Sequence, residues 1–357
     1  MAVDQKKKDA ALKEVQRLNA KYGHKAADLA STRYDFGVTS TGVLALDYKL
    51  GTGGWKDGHM HAIFGPRDIG KSSSLGIASM RSAQTLRDRL CGVIAVEPGI
   101  DDRWLAKHGV DPSGVVVARP DSAEEAFEIA LEWASDDLID HILFDSIGAL
   151  VTDGERDQDE LKSKVGGQSK LITDGSKRLL MPVWKNKKCL IFINQIRDEM
   201  NSRIPGQVKM PGGHALEHAC STIVQLKPGK DRYKTKVDGD EVEIGRTVVA
   251  VIQRNKLSEG SKQKAQFDFY EKEVEGYPFG IDLAADVIAT GLSTGVIQKA
   301  GAWYRHDTFP DGRLQGKKGV AEFIAETPEA VQKIRQGVLA KMQELNRAPK
   351  TTTAEDE

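Results

Sequence analysis

Apolar positions along the chain follow two rhythms. Leu12, Val15, Leu18 and Tyr22 recur at helical spacing with charges between them, so residues 4–30 read as a helix closed by Gly23 and the polar stretch after it. Residues 39–50 lead into a glycine-rich turn, Gly51-Thr-Gly-Gly54. Beyond it, short apolar runs fall at 59–64, 91–97, 114–118, 140–145, 188–194 and 221–227. Helical patterns fill most of the gaps, at 71–88, 122–135, 168–184 and 213–219. Strands alternating with helices predict βαβ units and a mostly parallel sheet. Runs at 245–254 and 265–270 have no long helix between them and predict antiparallel additions. Past residue 271 the pattern turns helical again, at 281–288 and 328–345, and reads as a small separate domain. The final segment, Ala348 to Glu357, is polar, ends in Glu-Asp-Glu and is expected to be disordered. No internal repeat is visible.

Length and composition narrow the class. A chain of 357 residues suggests two or three domains. With 39% hydrophobic and 29% charged residues it has the profile of a soluble globular protein. No apolar run approaches the ~18–20 residues of a membrane span, and the lysine-rich start MAVDQKKKDA lacks the apolar stretch of a secretory signal. Three scattered cysteines, Cys91, Cys189 and Cys220, argue against a disulfide framework or a zinc site and suit a reducing, cytoplasmic setting. The net charge of −1 hides an asymmetry. Residues 161–209 carry eleven Lys/Arg against three Asp/Glu, leaving −9 for the remainder. That pattern fits one cationic working surface on an acidic body, or a solvated basic helix face.

The sharpest local signal is Gly65-Pro66-Arg67-Asp68-Ile69-Gly70-Lys71-Ser72, followed by Ser73. It matches G-x-x-x-x-G-K-[ST] and lies between an apolar run and a helical pattern. In such a loop the glycines let backbone N–H groups point at phosphate oxygens. Lys71 supplies a point charge and the Ser72 hydroxyl meets Mg²⁺. Asp68 is unexpected there, because an inward carboxylate would repel a triphosphate; it is expected to face solvent. The run His141-Ile-Leu-Phe-Asp145 ends in a carboxylate placed for a second Mg²⁺ contact. Glu97 ends another strand, where it could activate water, and Gln195 ends a fourth, where an amide could sense a γ-phosphate. On spacing alone, both are equally well read as solvated loop residues.

Together these stretches resemble the RecA recombinase family. The resemblance is carried by Thr39-Ser-Thr-Gly-Val-Leu-Ala-Leu-Asp47, the phosphate loop, Glu97 with Asp101, Leu143-Phe-Asp-Ser146, Ile191-Phe-Ile-Asn-Gln-Ile-Arg197, Pro211-Gly-Gly213 and Lys299-Ala-Gly-Ala-Trp-Tyr304. It covers roughly residues 10–345 and implies an α/β fold. That fold has a RecA-type P-loop core at 36–272, an N-terminal oligomerisation segment at 1–35, a C-terminal DNA-capture domain at 273–346 and an acidic tail at 347–357. It implies ATP and Mg²⁺ as cofactors, single-stranded and homologous double-stranded DNA as partners, and a head-to-tail helical homo-oligomer. Glu97 is implied to activate water, Asp145 to serve the metal and Gln195 to sense the γ-phosphate. Trp104 is implied to lie against adenine with Asp101 near the base. Arg254 and Lys256 are implied to reach a neighbouring subunit's phosphates.

Two DNA-facing loops are implied, near 157–166 and 196–210, in or beside the basic region. Lys162, Lys164, Lys170, Lys177, Arg178, Arg197, Arg203 and Lys209 are the candidate phosphate contacts. Val165 and Ile204 are aliphatic wedges, and Gly212 and Gly213 form a hinge. The N-terminal helix resembles the family's oligomerisation helix. Trp303, Tyr304, Lys317 and Lys318 fall in the lobe that resembles its duplex-capturing part. The chain departs from the family pattern at Ser72, where threonine is usual, at Ile204, where many relatives carry an aromatic ring, and at Glu217, in place of an interface lysine. The first loop also has an acidic entrance, Asp157, Asp159 and Glu160. Two other readings stand beside a strand-exchange recombinase: a hexameric motor on the same core, which electron microscopy separates as rings, and a regulatory DNA-binding paralogue, which ATP turnover with and without single-stranded DNA separates.

Overall fold

The structure is a computed structural model, and it describes residues 4–23, 26–29, 32, 34, 36–97, 99–152, 167–198, 208–209, 213–237, 239–258 and 263–347. The chain forms two compact units, 1–37 and 38–357. In the first, α1 (Gln5–Tyr22) is capped by the Asp4 carboxylate, which accepts from the Lys7 N–H, and is closed by Gly23 at φ 68°. It is shorter than the 4–30 read from sequence because Gly23 takes the left-handed conformation. None of its residues is buried.

The second unit is organised by a nine-stranded sheet. Its strands are β3 (His59–Gly65), β4 (Cys91–Ala95), β5 (Val115–Ala118), β6 (His141–Asp145), β7 (Cys189–Gln195), β10 (Thr222–Val237), β11 (Asp240–Asn255), β12 (Lys264–Tyr270) and β13 (Gly280–Ile281). The spatial order is β13-β12-β11-β10-β3-β7-β6-β4-β5. From β10 to β5 neighbours run parallel; β11, β12 and β13 add antiparallel, as the pattern predicted. A short pair, β1 (Val38–Thr39) with β2 (Trp55–Lys56), precedes the sheet.

Side-chain alternation explains why the central runs are apolar throughout. Ile63, Val93, Leu143 and Ile191 enter one core with α3 (Ile77–Arg87). Their neighbours Ala62, Ile94, Phe144 and Phe192 enter the opposite core with α5 (Ala123–Ser135) and α6 (Gly167–Lys185). A parallel sheet covered on both faces needs apolar residues at odd and even positions alike. Register then aligns the carboxyl ends: Gly65 pairs with Gln195 and Ala95 with Asp145. Four chemistry-bearing strand ends therefore share one edge.

Several elements were not legible in the pattern. The hairpin β10–β11 is far longer than the runs 221–227 and 245–254. Its outer half is solvated and held by cross-strand pairs, Arg232–Glu243 at 3.2 Å and Lys234–Glu241 at 2.9 Å, so it leaves no apolar rhythm. The helix α2 (Leu44–Leu50) is short and lies in a stretch read as leading into a turn. Its first amides, Leu44 and Ala45, donate to the Asp286 carboxylate, 241 residues away or more.

Asp286 belongs to the C-terminal lobe, whose helices are α8 (Leu283–Ser293), α9 (Lys317–Glu326) and α10 (Pro328–Arg347). Its three-stranded antiparallel sheet is β14 (Gln298–Ala300), β15 (Trp303–Arg305) and β16 (Arg313–Gln315). The Lys299–Tyr304 string is the β14–β15 turn, with Gly301 at φ 59°. Lys317 and Lys318 open α9, which like the three short strands has no counterpart in the pattern. Leu44 of α2 packs inside this lobe's core among Val287, Ile288, Tyr304 and Val338.

Candidate active site

The phosphate loop leaves β3 under close contacts that exclude side chains. A Cβ on Gly65 would lie 2.8 Å from the Leu226 carbonyl oxygen. Gly70 sits at φ 82°, with its would-be Cβ 2.9 Å from the Phe269 ring. Both glycines are thus demanded by space, and the second also by backbone conformation. Ile69 is buried and pins the loop to the core. The following helix opens with a wide turn in which the Gly76 N–H reaches back to the Lys71 carbonyl at 3.1 Å.

One cavity of about 570 Å³ gathers Arg67, Asp68, Gly70, Lys71, Ser72, Ser73, Glu97, Asp145 and Gln195. The Lys71 ammonium, on a residue only 8% exposed, donates to the Pro66 carbonyl at 2.7 Å. Burial lowers its pKa, opposed by the charges of Asp145, Glu97 and Asp68 and reinforced by Arg67. Burial also pushes Asp145 up to about 6; the Ser72 hydroxyl hydrogen-bonds it and pulls it down, as does Lys71, while Glu97 pushes it up. Glu97 Oε1 accepts from the Ser146 hydroxyl and, at 3.2 Å, from Gln195 Nε2. Gln195 Oε1 accepts in turn from Arg67 Nε at 3.3 Å.

These residues fit a magnesium nucleotide. A half-satisfied buried ammonium at a helix start is matched to phosphate. A hydroxyl joined to a buried carboxylate is matched to a hard cation, whose charge would hold Asp145 ionised. Among the described residues no group of three or more His, Cys, Asp or Glu could hold a metal. Magnesium here would therefore depend on phosphate oxygens and water as well as Ser72 and Asp145.

Comparison with known proteins agrees with this geometry. The RecA N-terminal domain model matches residues 6–275, and the RecA C-terminal domain model matches 285–343. The chain is 30% identical to Protein RecA of Rhodopirellula baltica over 315 residues, covering 87% of this chain and 79% of that one. It is 32% identical to a Protein RecA of Thermus thermophilus over 309 residues, 86% of each chain. Against Protein RecA of Acidiphilium cryptum the identity is 29% over 349 residues, 98% of this chain and 97% of that one. The chain belongs to the RecA family.

For a RecA-family chain, the other expected residues fall in three places. Asp101 caps α4 (Asp102–Lys107), accepting from the Trp104 N–H at 2.7 Å. Trp104 meets His108 edge-on at 4.8 Å and Phe279 at 5.8 Å between ring centroids, and neither Asp101 nor Trp104 lines the cavity. Arg254 donates to the Glu217 carbonyl at 2.6 Å and Lys256 to the His218 carbonyl, both at the carboxyl end of α7 (Gly213–Ala219). Register places Arg254 opposite Ile223 and Ile223 opposite Ala62, level with the middle of β3, and neither Arg254 nor Lys256 lines the cavity.

Of the DNA candidates, Lys170, Lys177 and Arg178 are exposed on α6. Seven- and eight-residue steps keep them on one face, which Asp174 shares. Arg197 pairs with Lys209 between β8 (Arg197–Asp198) and β9 (Val208–Lys209), and Gly213 opens α7. Lys162, Lys164, Val165, Arg203, Ile204 and Gly212 lie outside the described residues. Asp68 is exposed, at φ 55°, yet its charge still reaches Lys71.

Two residues of the site escaped the sequence reading. Ser146 follows the Asp145 carboxylate directly and was visible as a polar residue at a strand tip. Arg246 was not visible: it reaches the loop from β11, donating to the Asp68 carbonyl at 3.3 Å while pairing with Glu271 at 2.8 Å. Among the described residues, no helix is long and apolar enough to cross a membrane.

Proposed function

We propose that this chain is a cytoplasmic, DNA-dependent ATPase that assembles head-to-tail on single-stranded DNA and catalyses homologous pairing and strand exchange. The observation that carries the reading is the convergence of Lys71, Ser72, Asp145, Glu97 and Gln195 in one cavity, with Gln195 two residues before β8. Ser72 and Asp145 would hold magnesium, which would supply neutralisation of phosphate charge. Lys71 and the loop amides hold the phosphate oxygens. Glu97 takes the proton of the attacking water as its oxygen bonds to the γ-phosphorus and the bond to the ADP oxygen breaks. Gln195 stands between the γ-phosphate and the strand that enters the second DNA loop, so an altered amide contact at the cavity changes the start of β8.

Arg254 and Lys256 support the assembly. They do not line this chain's own phosphate cavity, which leaves them available for the phosphates of an adjoining protomer. The exposed basic face of α6, with the Arg197–Lys209 pair, gives sequence-independent, salt-sensitive attachment to a polynucleotide backbone. Strand exchange nearly balances base pairs lost against base pairs gained, so the protein's share is backbone contact that offsets unstacking.

The test is a strand-exchange assay with circular single-stranded DNA, homologous linear duplex, ATP and Mg²⁺. Joint products are expected with homologous duplex only, and none without ATP. Nucleotide binding without homology-dependent products would leave the chain an ATP-switched DNA-binding protein.

A further inference from the structure

The third position of the phosphate loop is an arginine that lines the cavity and hydrogen-bonds Gln195. Because Gly65 is in register with Gln195, Arg67 stands over the tip of β7. Its Nε–H holds the Gln195 carbonyl at 3.3 Å, and that contact decides which end of the amide faces which way. With Oε1 turned to the guanidinium, Nε2 is turned to Glu97 at 3.2 Å. Ser146 donates to the same Glu97 oxygen. The chain of contacts is thus Arg67, Gln195, Glu97, Ser146, anchored on two strand ends and the loop.

We propose that Arg67 is a positioning residue that presets Gln195 and, through it, Glu97, and that it exchanges the Gln195 carbonyl for the terminal phosphate of a triphosphate. This rests on the ATP-site reading above and names the group by which that site tells a triphosphate from a diphosphate. Competition between partners supplies the drive. A long bond from a guanidinium to a neutral amide is weak, whereas a guanidinium fork on a phosphate is charge-assisted and two-pronged. The charged groups facing Arg67 are Lys71, Asp68, Glu97 and Asp145. Arg67 and Lys71 are like charges in one cleft, and Arg67 lowers the lysine's pKa, so an entering anion relieves both. Once the guanidinium leaves, the Gln195 amide is free to turn, and Glu97 keeps its bond from Ser146 but loses the one from Gln195.

The test uses the full chain with Arg67→Met, which keeps length and removes charge and donors, and Arg67→Lys, which keeps charge without the fork. Binding of AMP-PNP and of ADP is measured by titration calorimetry with Mg²⁺ and no DNA. Arg67→Met is expected to weaken AMP-PNP about tenfold or more and ADP no more than about threefold, with Arg67→Lys between. In a Gln195→Ala background Arg67→Met is expected still to weaken AMP-PNP more than ADP, because the guanidinium meets the terminal phosphate directly once it has left the amide. Equal losses for both nucleotides would make Arg67 a general phosphate contact and overturn the proposal, as would no loss for either, or loss of the AMP-PNP preference in the Gln195→Ala background. Should Arg67→Met fail to fold by circular dichroism, the AMP-PNP to ADP ratio of Arg67→Lys decides: an unchanged ratio overturns the proposal. None of these readouts needs DNA. A wild-type chain that binds AMP-PNP yet ignores single-stranded DNA would therefore sink the recombinase reading while leaving this one standing.

Discussion

Lys71 combines burial, a helix start and a single carbonyl partner, and so is the residue whose loss the site tolerates least. Lys71→Ala is expected to reduce ATP turnover at least 100-fold by removing the point charge on the β- and γ-phosphates, measured by steady-state phosphate release. Glu97→Ala leaves the loop, Lys71 and Ser72 in place, so ATP still binds while hydrolysis falls about 10²–10⁴-fold. The check is single-turnover hydrolysis beside a binding titration; normal hydrolysis by this variant would remove Glu97 from its role. At this scale the phosphate loop was readable because its chemistry is consecutive in the chain. Asp145, Glu97 and Gln195 were readable as strand tips, but only the parallel register joined them into one cavity. Arg246 was unreadable because a residue on a distant hairpin reaches the loop through Asp68's backbone, which leaves no local motif.

Helix α2 shows how elements far apart in sequence lock together. Its N-terminal amides are satisfied by Asp286, and the fully buried Asp47 pairs with Arg335 of α10 at 2.6 Å. Arg335 also donates to Ser40 at 2.8 Å. Removing one partner of a buried pair leaves the other uncompensated, so Arg335→Ala is expected to cost about 3 kcal/mol, seen as a lower urea midpoint with unchanged slope. The substitution is far from the phosphate loop, so nucleotide affinity measured under native conditions should be retained. Seven residues are too few for a convincing helical rhythm, and the cap that stabilises α2 lies in another lobe, so its sequence could not announce it. The parallel core was legible for the opposite reason: burial on both faces wrote continuous apolar runs into the chain.

Taken whole, the molecule couples its stability to pH through buried imidazoles. Burial pushes His61 down to about 4 and His141 down to about 3, against an ordinary 6.5. Between pH 7 and pH 5 the unfolded chain takes up protons that the native protein refuses, so each histidine makes stability fall as pH falls, by about 2 kcal/mol over that interval. Asp286, pushed up to about 7 by burial, works in the opposite sense, because its native form accepts a proton first. His141→Gln is therefore expected to narrow the stability difference between pH 7 and pH 5 by about 2 kcal/mol in urea titrations; an unchanged difference would count against buried protonation. The charge map of the sequence located a basic region; Lys170, Lys177 and Arg178 of it are exposed on α6, whereas Lys188 is buried beside Asp136 and Asp140. Assembly is the larger claim, since Arg254 and Lys256 lie outside the lining of their own phosphate cavity. Electron microscopy of the chain on single-stranded DNA with AMP-PNP or with ADP tests it most directly. Continuous helical filaments with AMP-PNP and sparse, short ones with ADP are the predicted result; isolated monomers or closed rings with AMP-PNP would contradict the account.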